Sequence, residues 1–94
     1  MRSGVDESRL ASELIARYGR HAGWIRQAVG WSTYSLRSAE RSFDRQIARH
    51  EMKIRQATRT GNRQVVQYWE NEILVFRQQQ QIVRDIVSAR HRET

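Results

Sequence analysis

From Leu36 the chain reads LRSAERSFDRQIARHEMKIRQA, in which Leu36, Phe43, Ile47, Ile54 and Ala57 recur at three-, four- and seven-residue steps. That spacing is the buried stripe of an amphipathic helix. Glu40 and His50 fall on the same stripe, where apolar residues are expected. Ser32 or Thr33 can cap this helix, which is expected over 32–58. Thr60-Gly61-Asn62 then forms the clearest turn in the chain. A second stripe, Val66, Trp69, Ile73, Phe76, Val83 and Val87 with Gln80 as its polar interruption, predicts a last helix over 63–89. So short a connection makes the two helices antiparallel. Folding about residue 61 sets Ile54 against Trp69, His50 against Ile73, Ile47 against Phe76 and Phe43 against Gln80.

Ahead of this hairpin, Leu10, Leu14 and Tyr18, continued by His21, Ile25 and Ala28, give a helical segment over 6–30 that Asp6 or Ser8 can cap. Gly19, Gly23 and Gly30 each cost a helix interior about 1 kcal/mol relative to alanine. A bend or break is therefore expected between Gly19 and Gly23, with a turn near Gly30. Met1 to Val5 is expected as an unstructured lead. Trp24, Trp31 and Tyr34 cluster around the second turn, where they either pack one helix pair on another or, if exposed, stack on bases. Packing is the expected use. Two helices alone leave too much apolar surface wet, so the amino-terminal segment is expected to cover the open face of the hairpin. With no proline and no strand pattern, the fold class is all-α: a small three- or four-helix bundle built on a long antiparallel hairpin, one domain over 1–94.

Charge changes the picture. Net charge is +7 at pH 7 with a sequence pI of about 11.2, and Lys53 is the only lysine. Arginine keeps its charge and presents a planar fork that grips phosphate or carboxylate. An anionic partner follows: nucleic acid first, an acidic protein second, an anionic membrane surface third. Genome-wide arginine bias would give the same composition. Arg37, Arg41, Arg45, Arg49 and Lys53 recur every four residues as a cationic ribbon beside the apolar stripe. Five cations in strict register outnumber the acids near them, although a solvated face laced to Glu40, Asp44 and Glu51 is the plainer reading. The longest apolar run, Ile73 to Phe76, is far too short to cross a membrane. No membrane partner is expected and a soluble monomer is.

Glycine-rich phosphate loops, HExxH, GxSxG and CxxC are all missing, and the three histidines lack metal-ligand spacing. No metal and no cofactor are expected. Any catalysis must use His, Arg, Lys, Glu and Tyr. RNA cleavage fits that set, because the attacking group is the RNA's own 2′-hydroxyl. The protein supplies a base, an acid for the departing 5′-oxygen, and cations for charge developing on phosphorus. Histidine is the side chain suited to either proton role, which makes His50 the candidate. Lys53 lies three residues on and Arg49 adjacent, while Arg41 and Arg45 lie one to two turns back. Across the hairpin, Glu72 and Tyr68 come within about a turn of His50. Alternatively, His50 is a packed histidine whose partner is Glu72.

Arg41-Ser42-Phe43, Ile47, His50, Lys53 and Ile54, then Trp69-Glu70-Asn71-Glu72-Ile73 and Phe76, follow RSxxxxIxxHxxK and WxxEIxxF. In these patterns, over about 36–86, the chain resembles a small helical domain at the carboxy-terminal end of bacterial polymorphic toxins of the contact-dependent inhibition and Rhs types. The resemblance implies an RNase-type antibacterial toxin acting on tRNA in the cytoplasm of a target bacterium. It further implies delivery as part of a larger secreted or surface protein, and neutralisation by an acidic cognate immunity protein. Arg41, Ser42, His50, Lys53, Trp69 and Glu72 are the matching positions. The interval between the halves is shorter than in that family, and Tyr68 stands where it carries histidine. Under this reading cleavage is a metal-independent transesterification. His50 is acid or base and Glu72 its partner or the opposing base. Arg37, Arg41, Arg45, Arg49 and Lys53 hold phosphate, Ser42 and Tyr68 donate hydrogen bonds, and Trp69 contacts RNA. Two other readings use the same residues: a nucleic-acid-binding module without catalysis, and a helical adaptor for an acidic protein.

Overall fold

A computed structural model describes residues 6–93; the lead expected over 1–5 lies outside them. Four helices follow in order: α1 (Glu7–Tyr18), α2 (Ala22–Ala28), α3 (Thr33–Arg59) and α4 (Arg63–Glu93). Each start and stop has a local cause. Asp6 caps α1 by accepting from the Arg9 amide, and Ser32 caps α3 by accepting from the Ser35 amide. Gly19 ends α1 in the left-handed region at φ 67°, and His21 enters α2 from φ 62°, a conformation that costs a residue with a Cβ. The expected break between Gly19 and Gly23 is therefore real. It separates two helices, which makes the bundle four-helical.

The hairpin turn is equally specific. Gly61 takes φ 72°, and Asn62 Oδ1 accepts from the Val65 amide to open α4. Only three residues, 60–62, separate α3 from α4, so the two lie antiparallel as expected. Gln80 on the α4 stripe is buried, and its amide group donates to the Glu40 carbonyl and the Asp44 carboxylate. Glu40, the polar intruder on α3, accepts from Arg84 at 2.7 Å. Both interruptions of the apolar pattern thus have partners across the seam, as buried or half-buried polar groups require. Beyond Ala89, where the last helix was expected to end, α4 continues to Glu93. Arg90 in that extension donates to the Val29 carbonyl at 3.0 Å, tying the end of α4 to the end of α2.

The core is lopsided. Leu14, Ile25, Leu36, Ile82, Val83 and Ile86 are its fully buried centre, where α1 and α2 meet the start of α3 and the end of α4. Ile47, Ala57 and Ile73 are buried in the α3–α4 seam outside that cluster. The amino-terminal segment therefore covers one half of the hairpin, and the half nearest the turn extends as two helices in a molecule of 54 × 24 × 18 Å. Trp24 and Trp31 pack edge to face, and Trp24 continues onto Phe43, so both serve packing as expected. Tyr34 points outward and is 77% exposed.

Asp85 latches α1 onto α4, accepting from the Tyr18 hydroxyl and from Arg17 at 3.1 Å. Burial, reinforced by the carboxylate as acceptor and as charge, raises the Tyr18 phenol above its ordinary pKa. A group held neutral in this way contributes stability that is full below pH 10, the ordinary phenol value, and is lost as pH rises through the higher folded value. Tyr18→Phe is thus expected to lower the unfolding free energy by about 1–2 kcal/mol at pH 7. Urea melts repeated above pH 10 should show the gap to wild type narrowing; a gap constant with pH would sever the latch from the phenol's proton.

Candidate functional site

Register brings His50 to the seam between α3 and α4, just outside the main core. Its ring stands edge to face against Trp69 at 5.0 Å and Phe76 at 5.1 Å between centroids. Nδ1 lies 2.9 Å from the Gln46 carbonyl one turn back. A carbonyl only accepts, so Nδ1 carries the hydrogen. Nε2 is left facing α4, 4.0 Å from a Glu72 carboxylate oxygen. Thirteen per cent of the His50 side chain is exposed, against 35% of Glu72. The site is an edge with one open side.

Two more of the expected residues complete that edge. Lys53 places its ammonium 4.3 Å from the centre of the Trp69 ring, a cation–π contact. Tyr68 packs on Trp69 at 4.8 Å and is 53% exposed. The neighbouring Glu72 carboxylate, first as hydrogen-bond acceptor and then as charge, holds the Tyr68 phenol above its ordinary pKa. At neutral pH Tyr68 keeps its proton and is a donor beside the Glu72 side chain. His50, Lys53, Tyr68, Trp69 and Glu72 therefore meet.

The remaining expected residues do not join them. At about 100° per residue, Arg41 points about 180° around α3 from His50 and lies about 13 Å along the axis. Arg37 and Arg45 are each displaced by about 140° around the helix. Arg49, next in sequence, is about a quarter turn away. Ser42, two turns up, accepts from the Gln46 side chain rather than reaching the histidine. The ribbon is a slow spiral that arrives at the site only at its Lys53 end.

What the structure adds is where the acids go. Glu40 pairs with Arg84, Glu51 with Arg77 at 3.8 Å, and Asp44 with Gln80, all across the seam on α4. Among the described residues no ion pair involves Arg37, Arg41, Arg45 or Arg49, and all four are exposed. The ribbon is a solvated face, as the plainer reading has it, but among the described residues it is not laced to Glu40, Asp44 or Glu51. Phe76 and the Gln46 carbonyl were missed as parts of the site. The carbonyl had a signal, since a histidine commonly reaches the backbone one turn back, while Phe76 looked like ordinary core.

No group of three or more metal-ligating side chains occurs among the described residues, and no described helix is long and apolar enough to cross a membrane. No family model, curated protein or solved structure matches this chain.

Trp69 and the ribbon should separate cleanly in stability. Trp69→Ala removes a half-buried ring that touches three site residues and is expected to cost about 2 kcal/mol, below the range for a fully buried aromatic. Arg45→Ala should not lower the denaturation free energy by more than about 0.5 kcal/mol. A large loss at Arg45 would mean that the ribbon holds the fold.

Proposed function

We propose that this chain is an RNA-cleaving toxin domain that works by metal-independent transesterification, with tRNA as its target. The observation that carries the proposal is the convergence of His50, Glu72, Lys53 and Tyr68 on one open edge, joined by a ribbon of cations without protein counter-charges. In the reaction, His50 Nε2 takes the proton of the 2′-hydroxyl. The 2′-oxygen attacks phosphorus, the bond from phosphorus to O5′ breaks, and the departing O5′ takes a proton from water, whose hydroxide is then neutralised by the proton of the imidazolium. The products are a 2′,3′-cyclic phosphate and a 5′-hydroxyl. Glu72, 4.0 Å from the same Nε2, offsets the charge of the imidazolium that forms, while the Gln46 carbonyl holds Nδ1–H. Lys53 offsets the charge added to the phosphoryl oxygens, and Arg49, about a quarter turn away, holds the adjacent phosphate. Tyr68 donates a hydrogen bond at the rim, and Trp69 fixes both His50 and Lys53. Arg37, Arg41, Arg45 and Ser42 lie away from the reacting atoms and hold flanking RNA. The toxin's partners would be RNA and an acidic immunity protein complementary to the ribbon. Its place of action would be the cytoplasm of a target bacterium after delivery within a larger protein.

A second reading is binding without cleavage, favoured by the packing of His50 between two rings. Incubation with total bacterial RNA in EDTA decides between them. Discrete fragments ending in 2′,3′-cyclic phosphate are expected from the wild type. His50→Ala and His50→Gln, each first checked for an unchanged helical spectrum, should lower the rate by at least about a hundredfold. Intact RNA that is nonetheless retarded on a gel would leave the binding reading. Cleavage undiminished in both variants would move the chemistry away from His50.

A further inference from the structure

The cations of α3 can be joined in two ways, and the two predict different ligands. Along the ribbon, Arg37, Arg41, Arg45, Arg49 and Lys53 advance about 6 Å and turn about 40° per step. The path thus swings through about 160° over about 24 Å. Joined in line with the helix axis instead, Arg37, Arg41 and Arg45 continue to Arg55 and Arg59. That straight lane is broken for about 15 Å by Ala48 and by Met52, which is 55% exposed and apolar. A rigid duplex lying along α3 reaches one side of the helix and would need the straight lane. A single strand bends phosphate by phosphate and follows the spiral.

The end of each path also differs. The straight lane runs out at the hairpin turn. The spiral ends at Lys53, whose ammonium sits over Trp69, with the half-exposed Tyr68 ring packed beside it. A positively charged track leading to an aromatic platform is the arrangement that binds single strands, by phosphate contacts along the track and stacking of a base at its end. Every acid of α3 is committed to α4, Glu40 to Arg84, Glu51 to Arg77 and Asp44 to Gln80, while Glu72 of α4 faces His50.

We infer that the ligand of this surface is an unpaired RNA strand whose backbone follows the ribbon from Arg37 to Lys53 and sets a base on Tyr68. The inference rests on the proposal that the domain acts on RNA, and names the form of RNA it takes. Phosphates enter on the far side of α3 and are carried round to the His50 edge. Paired RNA is excluded because its backbone cannot turn with the spiral.

Binding of 2′-O-methyl RNA tests this independently of cleavage, since those strands lack the attacking hydroxyl. An unstructured octanucleotide is expected to bind at least about tenfold more tightly than a hairpin duplex of equal phosphate number. Its salt dependence should reflect about 0.7 of a unit of log–log slope per cation contacted, so Arg37→Ala with Arg41→Ala should lower the slope by roughly 1.4. The same pair should leave a trinucleotide, which spans only the Lys53 end, unaffected. Lys53→Ala and Tyr68→Ala should weaken both lengths, whereas Arg55→Ala with Arg59→Ala should weaken neither. Equal or tighter duplex binding, or loss of octanucleotide affinity in the Arg55/Arg59 variant, overturns the spiral path. No binding of either form at low salt overturns the RNA reading with it. Binding as expected beside unbroken natural RNA would sink only the catalytic reading.

Discussion

The register of α3 against α4 is the constraint on which everything else in the molecule depends. A three-residue turn, with Gly61 in the left-handed region and Asn62 capping the next helix, leaves the two helices one way to face each other. That one alignment places Gln80 between the Glu40 carbonyl and Asp44, Arg84 on Glu40, Arg77 on Glu51 and Glu72 opposite His50. A slip of one turn moves each partner by about 5.4 Å, farther than any of these contacts can stretch. Gln80 would then be buried with nothing to bond, a loss comparable to a full desolvation penalty. The turn and the polar interruptions of both stripes specify the same alignment; apolar residues alone would tolerate several.

That alignment also sorts charge by side. The acids of α3 face arginines and a glutamine of α4, while the cations of the ribbon face solvent or, at Lys53, the Trp69 ring. A chain of rings runs through the same seam, from Trp31 and Trp24 through Phe43 and Phe76 to His50, Trp69 and Tyr68. Its first members lie against the main core and its last is half exposed. The site edge is therefore rigidly coupled to the bundle although α1 and α2 do not cover it. Rigid support with one open side is what an arrangement of donors and acceptors needs if its geometry is to be fixed before a ligand arrives.

Much of this was legible in the sequence, and the gaps have physical causes. Stripe, cap and turn residues placed the helices, because each acts within four residues of its own position. The fold about residue 61 brought His50 beside Glu72 and Tyr68 by arithmetic alone. The direction of Arg37, Arg41 and Arg45 followed from the same arithmetic, since four-residue steps turn steadily away from a fixed face. Placing Arg41 among the catalytic residues carried the ribbon farther than that turn allows. The partners of Glu40, Asp44 and Glu51 were not legible. An acid on a helix can pair with a cation one turn away or with one on the facing helix, and only the packed geometry of the seam selects between them. Residues beyond Ala89 looked like a tail because their stripe fades, yet Arg90 is held by a carbonyl from α2, a contact distant in sequence.

The ribbon is the feature that stability does not account for. Arg37–Arg41, Arg41–Arg45, Arg45–Arg49 and Arg49–Lys53 are like-charge neighbours one turn apart, and each such pair opposes the helix by about 0.2–0.5 kcal/mol. Together they cost about 1–2 kcal/mol, a substantial share in a domain near the lower size limit for a single core. Alternating glutamate would have turned the same positions into favourable pairs at no cost in volume. Solubility does not require the arrangement, since Arg55, Arg59 and Arg63 near the turn already carry charge at the exposed end. A ligand that brings its own negative charge removes the repulsion on binding and releases its counterions as it does so. The strain in the free helix becomes affinity in such a complex, and on the proposal that the domain acts on RNA the other half of that interaction is a chain of phosphates.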